Sequence, residues 1–348
     1  MAQDIGIDLG TASILVYVKG KGIVCNEPAV VAVDTSTGAV IAVGNEAQRM
    51  LGRTPGNIVA VRPLREGVIS DFQVTEQMLR HFLLKASKRQ LFKPRVIICI
   101  PSGVTEVEER AVLDAANNAG ASKVYLIEEP VAAAIGANVD ITKPFGNMVV
   151  DVGGGTTDIA IISLGGIVES NSIKVAGDKF DDAIIKFVRQ KHHVLIGERT
   201  AEKLKIEIGC VTSFTNEEDE DSDEKVIKEL EVRGRCLLKG LPKSVIITSE
   251  EIKEALKESV DKIIEAIKML LEVTPPELIG DIASGGIVLT GGGAMLHGFD
   301  ELIQEETGID CYLAENAISC VAIGTGKALD NIEMLKDTNY DRRRRRRA

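Results

Sequence analysis

The chain contains no tryptophan, and aromatic residues make up only 3% of its 348 positions. Stacking of bases on aromatic side chains is therefore a poor fit, and a formal net charge of −11 argues against general nucleic-acid binding. Histidine is scarce: four residues without metal-ligand spacing, of which the adjacent pair His192-His193 reads as polar surface. The six cysteines, Cys25, Cys99, Cys210, Cys236, Cys311 and Cys320, include no C-x-x-C pair. Several lie in apolar runs, as Cys99 does within 96–100, so they read as buried reduced thiols rather than disulfides or a metal site. No apolar run reaches the ~20 residues that span a bilayer. No basic n-region precedes the first apolar run, which Asp4 and Asp8 interrupt. The expectation is a cytoplasmic protein that could still lie on a membrane surface.

What is present is glycine in a repeated setting. Three glycine-rich turns each follow an apolar, strand-like run: Asp8-Leu9-Gly10-Thr11-Ala12-Ser13, Asp151-Val152-Gly153-Gly154-Gly155-Thr156-Thr157-Asp158, and Thr290-Gly291-Gly292-Gly293-Ala294. Without Cβ atoms, such turns can aim backbone N–H groups at phosphate oxygens. The first two share the order strand, Asp, apolar residue, Gly, small hydroxyl residue. A lone glycine turn is weak evidence; two matched turns and a third, each opening on its own strand, point to a duplicated domain that grips a nucleotide between its halves.

The rest of the chain alternates strands and helices, which predicts an α/β fold of two or three domains. Residues 4–18 read as a hairpin around the Gly10 turn. Val30–Val33 and Val40–Val43 read as strands joined by a turn at 34–38, and 44–65 as a small insertion with a helix over Glu46–Leu51. Helices are predicted over Thr75–Lys88, Thr105–Asn118, Val131–Ala137, Phe180–Gln190, Thr200–Ile208 and Ser249–Val273, with strands at Val96–Ile100 and Val124–Ile127. Thr105 with Glu108, and Thr248 with Glu251, have capping spacing. The last helix carries a one-sided apolar stripe and ends at Pro275-Pro276.

Two charged segments stand apart. Residues 217–224 are almost wholly acidic: a solvated loop, or a cation or partner site. Arg342–Arg347 is an unbroken arginine run expected to be disordered, either a basic tail drawn to anionic headgroups or an added terminus without function.

A triphosphate between two turns needs a counter-cation, and Mg²⁺ takes few carboxylates and keeps waters. Asp8 and Asp151 can flank it from opposite halves, while Thr11, Ser13 and Thr156 offer hydroxyls to phosphate oxygens. Hydrolysis also needs an acceptor that holds water in line with the γ-phosphate. Glu129, between a strand and a helix, is the candidate; its other reading is a first-turn carboxylate that only complements the helix dipole.

These residues resemble the superfamily of actin, sugar kinases and heat-shock chaperone ATPases. Within it, the chain is similar to the MreB family of bacterial actins. The stretches that carry the resemblance run from residue 5 to about 330: 7–12, 26–31, 62–72, 127–136, 151–158, 201–205 and 289–294. The resemblance implies an actin-like ATPase fold of duplicated ribonuclease-H-like halves around a nucleotide cleft. Its four subdomains would be IA (1–32, 66–145, 315–335), IB (33–65), IIA (146–181, 246–314) and IIB (182–245), with a basic tail at 336–348. It implies a slow, ATP- and Mg²⁺-dependent ATPase coupled to filament assembly, which maintains rod shape by organising cell-wall synthesis. Partners implied are further copies of the chain in double protofilaments, the inner face of the cytoplasmic membrane, rod-complex membrane proteins and the cell-wall synthesis machinery.

By position in the motifs, Glu129 and Thr156 would orient the attacking water, and Asp8 and Asp151 would face Mg²⁺. Gly10, Thr11, Ala12, Ser13 and Gly153, Gly154, Gly155, Thr156 would hold phosphates. Glu202, Lys203, Leu204 and Lys205 would meet the adenosine, with Gly291, Gly292, Gly293 and Ala294 covering its other side. Leu91 and Phe92, flanked by Lys88, Arg89, Lys93 and Arg95, either insert at the headgroup boundary or pack inward. The acidic stretch makes the outer part of the second half less typical of the family. A sugar kinase would need an added substrate pocket, a chaperone a further domain, and a scaffold the loss of Glu129, Thr156 or Asp151; none of these features is in the sequence.

Overall fold

The computed structural model describes residues 3–87, 93–215 and 225–331. Two five-stranded sheets carry the fold. In the first, the spatial order is Lys123–Glu128, Arg95–Ile100, Asp4–Leu9, Ser13–Val18, Gly22–Pro28; in the second it is Gly166–Ile173, Thr157–Ser163, Asn147–Val152, Ile287–Thr290, Cys311–Leu313. Counted along the chain within each half, both sheets read 3-2-1-4-5. In both, strands 1, 4 and 5 pair in parallel, while the 1–2 and 2–3 pairings are antiparallel. The duplication expected from the two Asp-x-Gly turns is thus a duplication of topology.

The strand sequences explain why the halves pack as they do. Side chains alternate between faces along a strand. Val96, Ile98 and Ile100 enter the outer core of the first half, while Ile97 and Cys99 enter a central core. In the second half Ile159 and Ile161 face its outer core, and Val149, Ala160 and Ile162 face the same central one. Both sheets are therefore covered on two faces, which is why these strands read as continuous apolar runs. Helices Glu129–Gly136 and Cys320–Ala328 fill the space between the sheets.

Several elements differ from the sequence reading. The hairpin at 4–18 is a three-stranded meander, because Gly20 and Gly22, both at φ 78°, return the chain as a third strand. Three helices begin earlier than predicted, at Phe72, Gly177 and Glu198: Thr75 N–H already donates to the Asp71 carbonyl, the Gly177 and Asp178 N–H groups are held by the second turn, and Glu198 and Arg199 are polar and exposed. Pro275-Pro276 closes helix Ser249–Val273 and also opens helix Pro276–Gly285, where a missing N–H at the first turn costs nothing. His192 is not simply surface: its Nε2 lies 2.9 Å from Glu251 Oε1, on the half-buried side of the helix. Both capping boxes form as expected. The insertion has a three-stranded sheet of Val31–Asp34, Val40–Val43 and Ile58–Val61, helix Asn45–Met50 and a small core around Val30, Ala32, Ala42 and Ala47. Among the described residues no helix is long and apolar enough to cross a membrane. Leu91, Phe92, segment 217–224 and Arg342–Arg347 lie outside the described residues.

Candidate functional site

The two matched turns meet face to face. Each leaves the end of the central strand of its sheet, so the duplicated topology brings them together from opposite sides. The contact is close enough to require glycine. A Cβ on Gly154 would lie 2.5 Å from Ala12 Cβ, and one on Gly155 would lie 2.5 Å from Thr11 Oγ1. The second turn is held by its own bond, Gly153 N–H to Thr156 carbonyl at 2.9 Å. It is backed by the start of helix Gly177–His192, whose Gly177 and Asp178 N–H groups donate to the Gly153 and Gly154 carbonyls at 3.1 and 2.7 Å. Ser13 opens the second strand, half-buried.

Lys205 joins this assembly from helix Glu198–Ile208. Its Nζ donates to the Gly177 carbonyl at 3.1 Å and pairs with Asp181 at 2.9 Å. Burial pushes the Asp181 carboxyl up to about 6 against the pull of Lys205, and Glu202 nearby adds to the rise. Leu204 is fully buried in the core that also holds Val152 and Ala294, and Lys203 is exposed and paired with Glu207 at 3.8 Å. The third turn stacks on the second: Cβ atoms on Gly291 or Gly293 would run into Val152. Ala294 is buried beneath it.

A strap absent from the sequence reading as a site crosses the same place. Glu66 and Gly67 both adopt positive φ, and Gly67 N–H donates to Thr11 Oγ1 at 3.1 Å. Arg62 Nη1 reaches Asp178 Oδ1 at 2.8 Å, and Glu66 pairs with Lys174 and Lys179 at 3.5 and 3.4 Å. Residues 62–67 of the first half are thereby tied to the second.

Between the turns stand four acids. Burial pushes Asp8 up to about 7 and Asp151 up to about 7, each against a single opposing side-chain bond, from Cys99 and Thr290 respectively. Burial raises Asp158 to about 6 despite the Ser102 N–H at 2.7 Å. Glu129 is pushed well above the usual carboxylate range, first by burial and then by Asp158, Asp8 and Asp151. Asp8 and Glu129 nevertheless keep some surface exposure, so water reaches them. The Ser172 and Thr156 side chains also act to lower the Asp158 carboxyl, without offsetting its burial. Asp158 and Ser102 were not singled out from sequence; the signal was the carboxylate closing the second motif.

This crowding is a deficit of positive charge. Among the described residues no three such side chains converge to chelate a metal by themselves. The donor set fits a cation that takes one or two carboxylates and completes its shell with waters and phosphate oxygens, as Mg²⁺ does. The glycine cradle, which the helix start holds in place, fits phosphates.

One consequence is a pH dependence. With folded pKa values of about 7 for Asp8 and Asp151 against an ordinary 3.8, the folded state binds more protons than the unfolded one between about pH 4 and 7. Stability of the nucleotide-free chain then falls as pH rises through that window. Thermal scans at pH 5 and pH 8 should show a lower midpoint at pH 8, and Mg²⁺ with ATP should shrink the difference. A midpoint that rises with pH in the free chain would contradict this charge assignment.

Volume alone would point elsewhere. A cavity of ~870 Å³ opens beside the first half of helix Ser249–Val273, lined by Lys191, Lys253, Lys257, Glu254, Val260 and Leu302 among others. Its three lysines are engaged, with Glu251 and Glu254, with Ser213, and with Asp261. None of the turn residues lines it.

Comparison with known proteins agrees with this geometry. The family model described as MreB/Mbl protein matches residues 2–337. The chain is 54% identical over 335 residues to the cell shape-determining protein Mbl of Bacillus subtilis (strain 168), covering 96% of this chain and 98% of that protein. It is 50% identical over 339 residues to the cell shape-determining protein MreB of Escherichia coli (strain K12), covering 96% and 95%. The crystal structure of MreB5 of Spiroplasma citri bound to AMPPNP matches with a TM-score of 0.89 at 39% identity, covering 97% of this chain and 99% of that one. The fold is therefore actin-like, and the chain belongs to the MreB/Mbl protein family.

Proposed function

We propose that the chain is an ATP- and Mg²⁺-dependent actin-like filament protein that lies at the inner face of the cytoplasmic membrane, maintains rod shape by organising cell-wall synthesis, and hydrolyses ATP slowly as a timer of assembly. The observation that carries the proposal is the pair of pseudo-equivalent phosphate turns closing on four acids. The names of the relatives, cell shape-determining proteins, and the AMPPNP and ADP bound to the Spiroplasma relative support it.

In this reading Gly10–Ser13 and Gly153–Thr156 bind the phosphates, and Asp8 and Asp151 hold Mg²⁺, whose part is to neutralise charge on the phosphate oxygens. A cation against those two carboxylates would ease their share of the repulsion on Glu129, leaving burial and Asp158, and would favour the ionised Glu129 that accepts a hydrogen bond from water. Thr156 orients the same water. Glu202 and Lys205 flank the adenosine, Lys203 and Leu204 contribute through backbone and packing, and Gly291–Ala294 closes the far side. The strap at 62–67 fits a border between subdomains IA, IB and IIA as drawn from sequence. Self-association into double protofilaments and contact with rod-complex membrane proteins and the cell-wall synthesis machinery belong to the same proposal.

Membrane association rests on Leu91 and Phe92, which precede strand Arg95–Ile100 in the sequence. Sedimentation with anionic liposomes and Mg-ATP should carry the full chain into the pellet and leave the Leu91→Ser/Phe92→Ser chain about tenfold less lipid-bound. Equal binding of both, or no binding of either, would remove the loop from the proposal.

A further inference from the structure

The duplicated topology brings a second pair of residues into correspondence. Asp8 is the penultimate residue of the central strand of the first sheet, and its neighbour on the adjoining parallel strand is Cys99, one step beyond the Ile7–Ile98 register pair. Asp151 is likewise the penultimate residue of the central strand of the second sheet, and its register partner on the adjoining parallel strand is Thr290. Both neighbours are buried, at 2% and 0% exposure. Both direct a side-chain donor at the aspartate: Cys99 Sγ lies 3.5 Å from Asp8 Oδ1, and Thr290 Oγ1 lies 2.7 Å from Asp151 Oδ1.

The two contacts are unequal. A hydroxyl bond at 2.7 Å to a carboxylate is short and charge-assisted, whereas a thiol is a weak donor. The Cys99 thiol also lies 3.6 Å from the Ile7 carbonyl, so its one proton serves two acceptors. We propose that Thr290 and Cys99 are pseudo-equivalent positioning residues for the two metal-facing carboxylates, with Thr290 fixing Asp151 firmly and Cys99 leaving Asp8 freer to adjust. The inference rests on the ATP and Mg²⁺ reading above. Its physical content is that one carboxylate is pre-set before nucleotide arrives while the other completes the arrangement on binding, and a fixed ligand lowers the ordering cost of the bound state.

The test is the Mg²⁺ requirement for binding the fluorescent analogue mant-ATP, measured by titrating Mg²⁺ into the full chain, with mant-ATP affinity in EDTA as the reference. Loss of a hydrogen bond to a charged group corresponds to about tenfold or more. Thr290→Val should raise the half-saturating Mg²⁺ concentration about tenfold with affinity in EDTA unchanged. Thr290→Ser should restore it to within about twofold, and Thr290→Cys, which copies the first half's donor, should fall between. Cys99→Ala should raise it no more than about twofold. If Thr290→Val fails to bind mant-ATP in EDTA, the order of Ser below Cys decides. Equal Mg²⁺ midpoints across the Thr290 series, or a Cys99→Ala effect as large as that of Thr290→Val, would overturn the inference. Failure of the unaltered chain to show any Mg²⁺ dependence would instead overturn the reading beneath it.

Discussion

Replacing Glu129 with alanine should reduce phosphate release from bound ATP by about 100-fold or more, within the range that a positioned acid–base group contributes. ATP affinity should change by no more than about threefold. The separation follows from the site's geometry. Glu129 stands at the first turn of helix Glu129–Gly136, among carboxylates that push its proton affinity up. The turns at 10–13 and 153–156 proposed to hold the phosphates belong to other elements, the second of them backed by the helix start at Gly177. Removing the carboxylate also removes repulsion from Asp8 and Asp151, so nucleotide and cation binding should hold or tighten slightly. Glu129→Gln keeps the shape and loses the charged acceptor, and should be nearly as slow. Single-turnover phosphate release beside mant-ATP binding checks both. A Glu129→Ala chain that hydrolyses at the original rate would reduce Glu129 to a partner of the helix dipole.

The second large effect is on stability. A Cβ on Gly324 would overlap the Ala132 carbonyl, and one on Gly136 would overlap the Cys320 carbonyl. The two helices between the sheets thus cross backbone to backbone, each presenting a glycine to the other. Neither obstacle is a side chain that could swing away, so Gly324→Ala must separate the helices and disturb the central core shared by both halves. Overpacking of a core costs about 1–3 kcal/mol and sometimes more; we expect about 3 kcal/mol here, or failure to fold. Gly280, in helix Pro276–Gly285 with nothing near its missing Cβ, is the control. Gly280→Ala should be neutral or stabilising by up to ~1 kcal/mol. Urea unfolding of both chains gives the comparison, and a Gly324→Ala chain as stable as the parent would refute the crossing geometry.

These glycines mark where sequence reading works and where it stops. The three turns, the two capping boxes and the stripe of Ser249–Val273 are local signals, legible because their periodicity and spacing sit within a few residues. Helix Cys320–Ala328 is not legible that way. Gly324 and Gly326 lower its helix propensity, and they are there because a carbonyl and the Tyr17 ring occupy the space where Cβ atoms would go. Helix Pro276–Gly285 was hidden because Pro275-Pro276 reads as a stop before it reads as a start. In the site, Asp8, Asp151, Glu129 and Thr156 announce themselves by motif. Thr290 and Cys99 do not, since their meaning is a parallel register between strands 139 and 91 residues apart in sequence. Arg62 likewise meets Asp178 across 116 residues.

The central claim is that nucleotide held between the two halves drives assembly and that its hydrolysis times it. The most direct measurement follows sedimented protein and released phosphate together in one reaction of the full chain without lipid. With Mg-ATP, protein should enter the pellet first and phosphate should follow; with Glu129→Ala, protein should pellet and phosphate should stay bound. If ATP turns over with no sedimentable assembly, and only when a small-molecule acceptor is added, the cleft is that of a kinase and the filament account is wrong.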